Sequence, residues 1–412
     1  MSFQQGLSGL NSSAKHLDVI SNNVANASVV GFKGSRPLFA DVFANSLSGA
    51  GASQIGIGSK VATVSQEFGQ GNISSTNNPL DVAVNGRGFF RMSKDGTISF
   101  SRNGQFHLDA EGYIVNTDAL RVTGYGTDTS GNIVATAPLD IRLSTADIPP
   151  QPTAAFRAGL NLDAGASQPT TVLFNQADPT SYNNTTSGTV YDSIGNPHVL
   201  SLYFVKTATP GQWNMHASVD GTASTNVNLG GGAGVPSTLT FDNTGALTTG
   251  MPLSASLTIT GGGVTPLAFS FDLAGSSQFG SPFSVNSLFQ DGYSSGRLAG
   301  INIGVDGVVK GRYTNGQSQN LAQIVLADFA NPQGLRPLGQ NQWADSSDSG
   351  LPVVGTPGSG NLGSVQSSAV EDSNVDLTAE LVSMITAQRV YQANAQSIKT
   401  QDEVLQTLVN LK

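Results

Sequence analysis

The chain has no cysteine in 412 residues. That excludes disulfides, thiolate metal sites and thiol nucleophiles, and leaves the redox compartment open. Charge is scarce too: Asp, Glu, Lys and Arg make up 11%, under half the roughly 25% of an average soluble domain. The formal charge of -9 and the sequence pI near 4.8 argue against a polyanion such as nucleic acid as partner. No apolar run approaches the roughly 20 residues of a spanning helix, so membrane insertion is not expected. MSFQQGLSGL has no basic start followed by an apolar block, and the first positive charge is Lys15. A cleaved secretory signal is therefore not expected.

Sites of known chemistry are also missing. The 4 histidines, His16, His107, His198 and His216, are far apart, and none has a partner at metal-ligand spacing. The Asp-Gly pairs at Asp95, Asp220, Asp291 and Asp306 lack the remaining ligands of a calcium loop and read as turns. NGRGFF, residues 85–90, lies in a hairpin run without the helix N-terminus that a dinucleotide site needs. The expectation is no metal, no cofactor and no catalysis, although a scattered Ser, His and Asp set leaves no motif.

What is present is period. Near the C-terminus Leu377, Leu381, Met384, Tyr391, Ala395, Ile398, Leu405 and Val409 recur at alternating four and three spacing, broken in phase by Gln388 and Asp402. This is a heptad seam, with Asp376 placed to cap the helix start. Phe3, Leu7, Leu10, Ala14, Leu17 and Val24 repeat the spacing near the N-terminus, with Ser21 breaking it. Two amphipathic ends with β-structure between them pair most simply with each other or with neighbouring copies. The plainer alternative is a last helix docked on its own domain's core.

Between the ends the chain reads as nested. The first helix should stop near Asn26, and SNNVANASVVGFKGSR should turn the chain by Gly31. Residues 31–70, with Phe43 and the Gly-rich GAGASQIGIGSK, read as an irregular, partly extended connector. From Leu80 short alternating strands separated by Asn85-Gly86, Asp95-Gly96, Asn103-Gly104 and Glu111-Gly112 predict a hairpin meander. Pro138, Pro149, Pro150 and Pro152 mark a boundary. The division is helix 1–30 paired with helix 372–412, a middle β domain from 71–145 plus 285–371, and an inserted β domain at 146–284. The fold class is multidomain and mainly β, with N- and C-terminal α-helices pairing as a coiled-coil-like unit.

At SNNVANASVVGFKGSR and AELVSMITAQRVYQANAQSIKTQDEVLQTLVNLK the chain resembles the bacterial flagellar axial proteins, the rod and hook family. NPLDVAVNGRGFFRM, SFSRNGQFHLDAEGYIVN, QIVLADFANPQGLRPLGQNQW and EDSNVDLTAELV are similar to its hook members. The resemblance covers roughly residues 1–125 and 289–412 and makes Asn22, Asn23, Asn26, Gly31 and Phe32 family-motif positions. It implies a self-assembling helical tube, a flexible joint carrying motor torque from rod to filament around an export channel. The implied partners are the chain itself as a homopolymer, a distal rod protein, a hook cap, a hook-filament junction protein and the flagellar export apparatus. The implied place is outside the cell, reached without a cleaved signal peptide. A distal rod protein is the nearest alternative, and a β-rich adhesin or a glycan-acting enzyme with two carboxylates on separate loops is more distant.

Overall fold

The computed structural model describes residues 2–42, 56, 58–128, 131–222, 224–259, 263 and 265–410. The chain is mainly β with a helix near each end, α1 (Ser2–Ala25) and α2 (Leu377–Asn410), which pack against each other. α1 ends where Asn26 folds back: its backbone N–H and side-chain amide both reach the Asn22 carbonyl. α2 starts at the expected cap, with the Asp376 carboxylate accepting the backbone N–H groups of Thr378 and Ala379 at 2.9 and 3.1 Å.

Compact packing divides the chain into two units: 1–145 with 300–312 and 318–412, and 146–299 with 313–317. The first unit contains both helices. It also corrects the irregular connector expected over 31–70, because Ser35–Val42 and Gly58–Gln66 form an antiparallel ribbon with a bulge at Leu38/Phe39. Valines at 61 and 64 supply the β-branched positions of a strand, a signal the neighbouring glycines and serines obscure. Phe43 and most of GAGASQIGIGSK lie outside the described residues.

The meander from Leu80 is only partly a meander. Asp95-Gly96, with φ of 50° and 82°, joins Phe89–Lys94 to Thr97–Ser101 as a tight hairpin, and the Glu111-Gly112 turn joins His107–Leu108 to Ile114–Val115. Asn85-Gly86 and Asn103-Gly104 are not hairpin turns. Val82–Asn85 pairs instead with Ser364–Ser367, nearly three hundred residues away in the chain, and Gly104 is glycine because the Val82 carbonyl sits where its Cβ would be. One apolar core of this unit gathers Val82, Val84, Phe90, Met92, Ile324, Leu326 and Val365. Another packs Phe89, Phe100, Phe329 and Trp343 edge to face.

The second unit is a sandwich. A four-stranded antiparallel sheet runs Asn184–Tyr191, Pro197–Lys206, Gln212–Val219 and Ser237–Thr240. A six-stranded mixed sheet is built around Ala155–Asp163. Inward residues of both sheets, among them Phe156, Leu160, Leu202, Phe204, Trp213, Met215 and Phe271, form one core. The boundary expected at 284/285 is corrected, because Ser284–Gln290 is the antiparallel neighbour of Ala155–Asp163 and belongs to this unit. The turn between the first two strands of the smaller sheet is tied by Asp192, whose carboxylate accepts the N–H groups of Ile194, Asn196 and Gly263 and the Asn196 side-chain amide. Burial alone would raise the Asp192 pKa, but these four bonds outweigh it and hold it at about 2.

Candidate assembly surface

The helix pair does not bury its leucines. On α1 the buried positions are Gly6, Ser12, Ser13, Ile20 and Asn23. On α2 only Ala387 is buried among the described side chains, with Glu380, Met384, Asn394, Ala395, Ile398 and Gln401 partly covered. Apart from Ser12, which faces Ser59, and Ala395, both sets have heptad spacing, so the period read from the sequence is present. Its phase is shifted by one position on α1, while on α2 Met384 and Ile398 of the expected stripe stay in the seam and its other row moves. A Cβ added at Gly6 would lie 3.0 Å from Ile398 Cγ1, and one at Gly9 would lie 2.8 Å from the Asn394 side chain. Interaxial distance follows the size of the side chains at the contact, so glycine and serine let the helices come close where leucine would hold them apart.

The apolar stripe expected from the sequence flanks this seam. Phe3, Leu7, Leu377, Leu381, Tyr391 and Leu405 are exposed, Leu405 by 57%. Leu10, Leu17, Val24, Met384 and Ile398 are half-buried, and Ile398 faces α1 at Gly6. The Val409 side chain lies outside the described residues. Val382, Ile385, Val390 and Val404, which the sequence reading did not single out, add to the exposed apolar surface of α2. The other side of α1 packs on the ribbon: Gln5 donates to the Gly56 carbonyl at 2.7 Å, Ser12 reaches Ser59, and His16 meets the Phe39 ring edge-on.

The roots of the two helices are clamped by polar groups. Asn23 is buried; its amide N–H donates to the Ser35 carbonyl at 2.8 Å and to Glu380 at 2.9 Å, and its oxygen accepts the Ser35 N–H. It joins α1, the ribbon and α2 through one side chain. Gly31, at φ 71°, donates its N–H to the Glu371 carbonyl at 2.7 Å. A side chain there would meet the backbone of Arg102 and Asn103 within 3 Å. Asn22 and Asn26 close the helix end by bonding each other, and Phe32 turns back to Val29.

Behind this motif lies a buried ion triad that the sequence reading missed. Lys33 Nζ is 2.6 Å from Glu371 Oε1, and Arg102 Nη1 is 3.2 Å from Glu371 Oε2. The Lys33 and Glu371 side chains are 0% exposed. Lys33 also donates to the Gly69 carbonyl, Arg102 to the Gly86 carbonyl, and the Gly71 N–H to Glu371. Burial pushes the Lys33 and Arg102 pKa values down, against the attraction of Glu371. The available signal was Lys33 flanked by Phe32 and Gly34 in a chain poor in charge. Nothing local pairs it with a glutamate 338 positions on.

The histidines stay apart. His198 lies 2.6 Å from Asp220 and 3.5 Å from Asp192, His216 stacks on Phe174, and no group of three or more potential metal ligands occurs among the described residues.

Four family models match along the chain: "Flagella basal body rod protein" over 3–33, "Flagellar hook protein FlgE/F/G D1 domain" over 83–155, "Flagellar basal body protein FlaE D2 domain" over 161–293 and "Flagellar basal body rod FlgEFG protein C-terminal" over 366–411. The flagellar hook protein FlgE of Salmonella typhimurium is 41% identical over 417 residues, covering 100% of both chains. This chain belongs to the flagellar hook protein FlgE family. The FlgE of Escherichia coli K12 is 41% identical at the same full coverage, and that of Borreliella burgdorferi is 31% identical over 448 residues, covering 100% of this chain and 99% of its own. The crystal structure of Helicobacter pylori flagellar hook protein FlgE2 covers 72% of this chain and 100% of its own, with a TM-score of 0.50 and 15% identity, a likeness of fold alone. As a FlgE family member the chain is a structural subunit of the flagellar hook and serves motility. The terminal models fall on α1 with its motif and on α2 with Glu371, the segments that carry the seam and the clamp.

Proposed function

We propose that the chain is the repeating unit of a helical homopolymer whose helix pairs line a central export channel, with the β units stacked outside and free to slide as the tube bends. The observation that carries this reading is the mismatch in the helix pair: Gly6 and Gly9 of α1 meet Ile398 and Asn394 of α2 at close range while Phe3, Leu7, Leu377, Leu381 and Leu405 face solvent. Side chains of this size each gain about 1.5–3 kcal/mol when fully buried, so neighbouring copies that cover them supply the drive for assembly. Heterologous, non-closing contacts of this kind build a tube without internal symmetry of the subunit. Surfaces rich in Ser, Thr, Asn and Gly exchange direct contacts for bridging water at low cost, which suits a joint that bends while carrying torque. The absence of cysteine keeps threading through a channel free of cross-links. A distal rod protein, a cap, a filament-junction protein and the export apparatus are the further partners of this reading, with export to the cell exterior independent of a cleaved signal.

The experiment is Leu405→Asp. A charge placed at a contact without a partner is costly to desolvate, and it recurs in every subunit. Tubes seen by electron microscopy of concentrated wild-type protein should be absent from the variant, while dilute monomer melts within about 0.5 kcal/mol of wild type, as for a surface change. A variant that melts much earlier yet still forms tubes would overturn the assignment.

A further inference from the structure

Outside the helix pair, the most exposed large apolar side chain described is Val172, at 97%, followed in the chain by Leu173 at 83%. They sit on a loop of the sandwich that is held firmly. Phe174 stacks on His216 with centroids 4.0 Å apart and packs against Tyr203. Thr171 bonds Thr180 through both backbone and hydroxyl groups, Ser181 and Asn175 bond each other, and Gln176 donates to the Gly221 carbonyl at 2.7 Å. A rigid loop loses little entropy on binding, so two apolar side chains presented this way form a ready-made knob.

The same unit carries a recess. On the outer face of the six-stranded sheet, Gly159 stands between Arg157 on its own strand and Ser287 on the next, whose hydroxyl leans over it, and a hollow of about 320 Å³ opens there. Phe289, 55% exposed, forms one wall, and Arg157 and Asp272 stand at the rim. Arg157 makes no ion pair among the described residues, although Asp272 is its cross-strand neighbour, and the knob loop carries a carboxylate at Asp178. Knob and recess do not meet within one copy, since Val172 is almost wholly exposed.

We propose that Val172 and Leu173 of one copy seat in the Gly159 recess of a neighbouring copy, with Phe289 closing over them and Asp178 approaching Arg157. A knob and a recess on different faces of one subunit make a heterologous contact that leaves one of each unfilled at the ends of a row, so the row propagates. This joint rests on the homopolymer reading above and adds a second contact, between outer units, to the one made by the helices.

The test uses the cysteine-free background. Leu173→Cys and Ser287→Cys are prepared as separate full-length chains, mixed, assembled by concentration and oxidised. The expected result is a cross-linked species of twice the chain mass in the polymer and none in the dilute mixture. In parallel, the double variant Val172→Asp, Leu173→Asp should keep the wild-type melt and raise the concentration needed for assembly about tenfold, equivalent to about 1.4 kcal/mol per contact. If the double variant assembles at the wild-type concentration, or the mixed polymer forms without the cross-link, the joint is wrong and the homopolymer reading stands. If wild-type protein forms no polymer at any concentration, the homopolymer reading falls and the joint with it.

Discussion

The outer sandwich and the helix pair solve the same problem in opposite ways. In the sandwich each strand turns its apolar face inward, as in Pro197–Lys206, where His198, Leu200, Leu202 and Phe204 are buried and alternate with more exposed residues. The two sheets leave almost nothing of that core in water. The helix pair puts small and polar side chains inward and leucines outward. One half of the molecule is closed by its own chain, and the other leaves large apolar side chains open to solvent. Apolar periodicity alone does not distinguish the two, because it is present in both.

The largest expected effect breaks the closed half. Phe204→Ala removes a fully buried ring from the sandwich core and should cost about 3–5 kcal/mol in urea unfolding followed by Trp213 fluorescence. A loss under about 1 kcal/mol would show that the sandwich is loosely packed and the contrast false. The next strikes the root of the open half. Lys33→Met leaves Glu371 buried with only Arg102 beside it and should cost about 3 kcal/mol, near the low end for a broken buried pair. Replacing all three charges by Met, Met and Leu should cost less than the single change, although the Gly69, Gly71 and Gly86 backbone groups lose partners. If the single change is silent, the pair is held by its seam and not by the clamp.

The smallest effect sharpens the comparison through acid. Asp192 has a folded-state pKa of about 2, below its unfolded value near 4. The stability it supplies is therefore present above pH 4 and lost as pH falls through 2, and integrates to about 2 kcal/mol. Asp192 belongs to the sandwich, so the near-ultraviolet signal of Trp213 should weaken in that window in wild type and less so in Asp192→Asn. Identical acid profiles would remove the carboxylate from the account of the turn.

The parts of this fold that were legible in the sequence are local. The two heptad runs, the cap at Asp376, the stop near Asn26 and the Asp95-Gly96 hairpin each depend on residues a few positions apart. The parts that were not legible depend on partners far along the chain. Asn85-Gly86 has the composition of a hairpin turn, but its strand pairs with Ser364–Ser367. On α1 the seam lies one position away from the expected stripe because leucine is the usual choice for a heptad contact, and here Gly6, Gly9 and Ser13 allow a closer one; on α2 Met384 and Ile398 of the expected stripe remain in it. Asn23 and Gly31 were singled out as motif residues, but the partners that give them their roles, Glu380 and Glu371, belong to the other end of the chain.

The clamp also decides where a mechanical load travels. Gly31 and Glu371 are bonded backbone to backbone, and Lys33 ties the same two segments by its side chain. A pull applied to one terminal helix therefore crosses to the other within a few residues, in shear across Gly31, Lys33 and Glu371. The chain between them forms a closed loop, and both segments of the sandwich unit, 146–299 and 313–317, fall within that loop and so lie off the path of the force. Tension that would unzip a sheet strand by strand is shared instead by the buried ion pair, the Gly31–Glu371 peptide hydrogen bond and the Asn23–Glu380 bond.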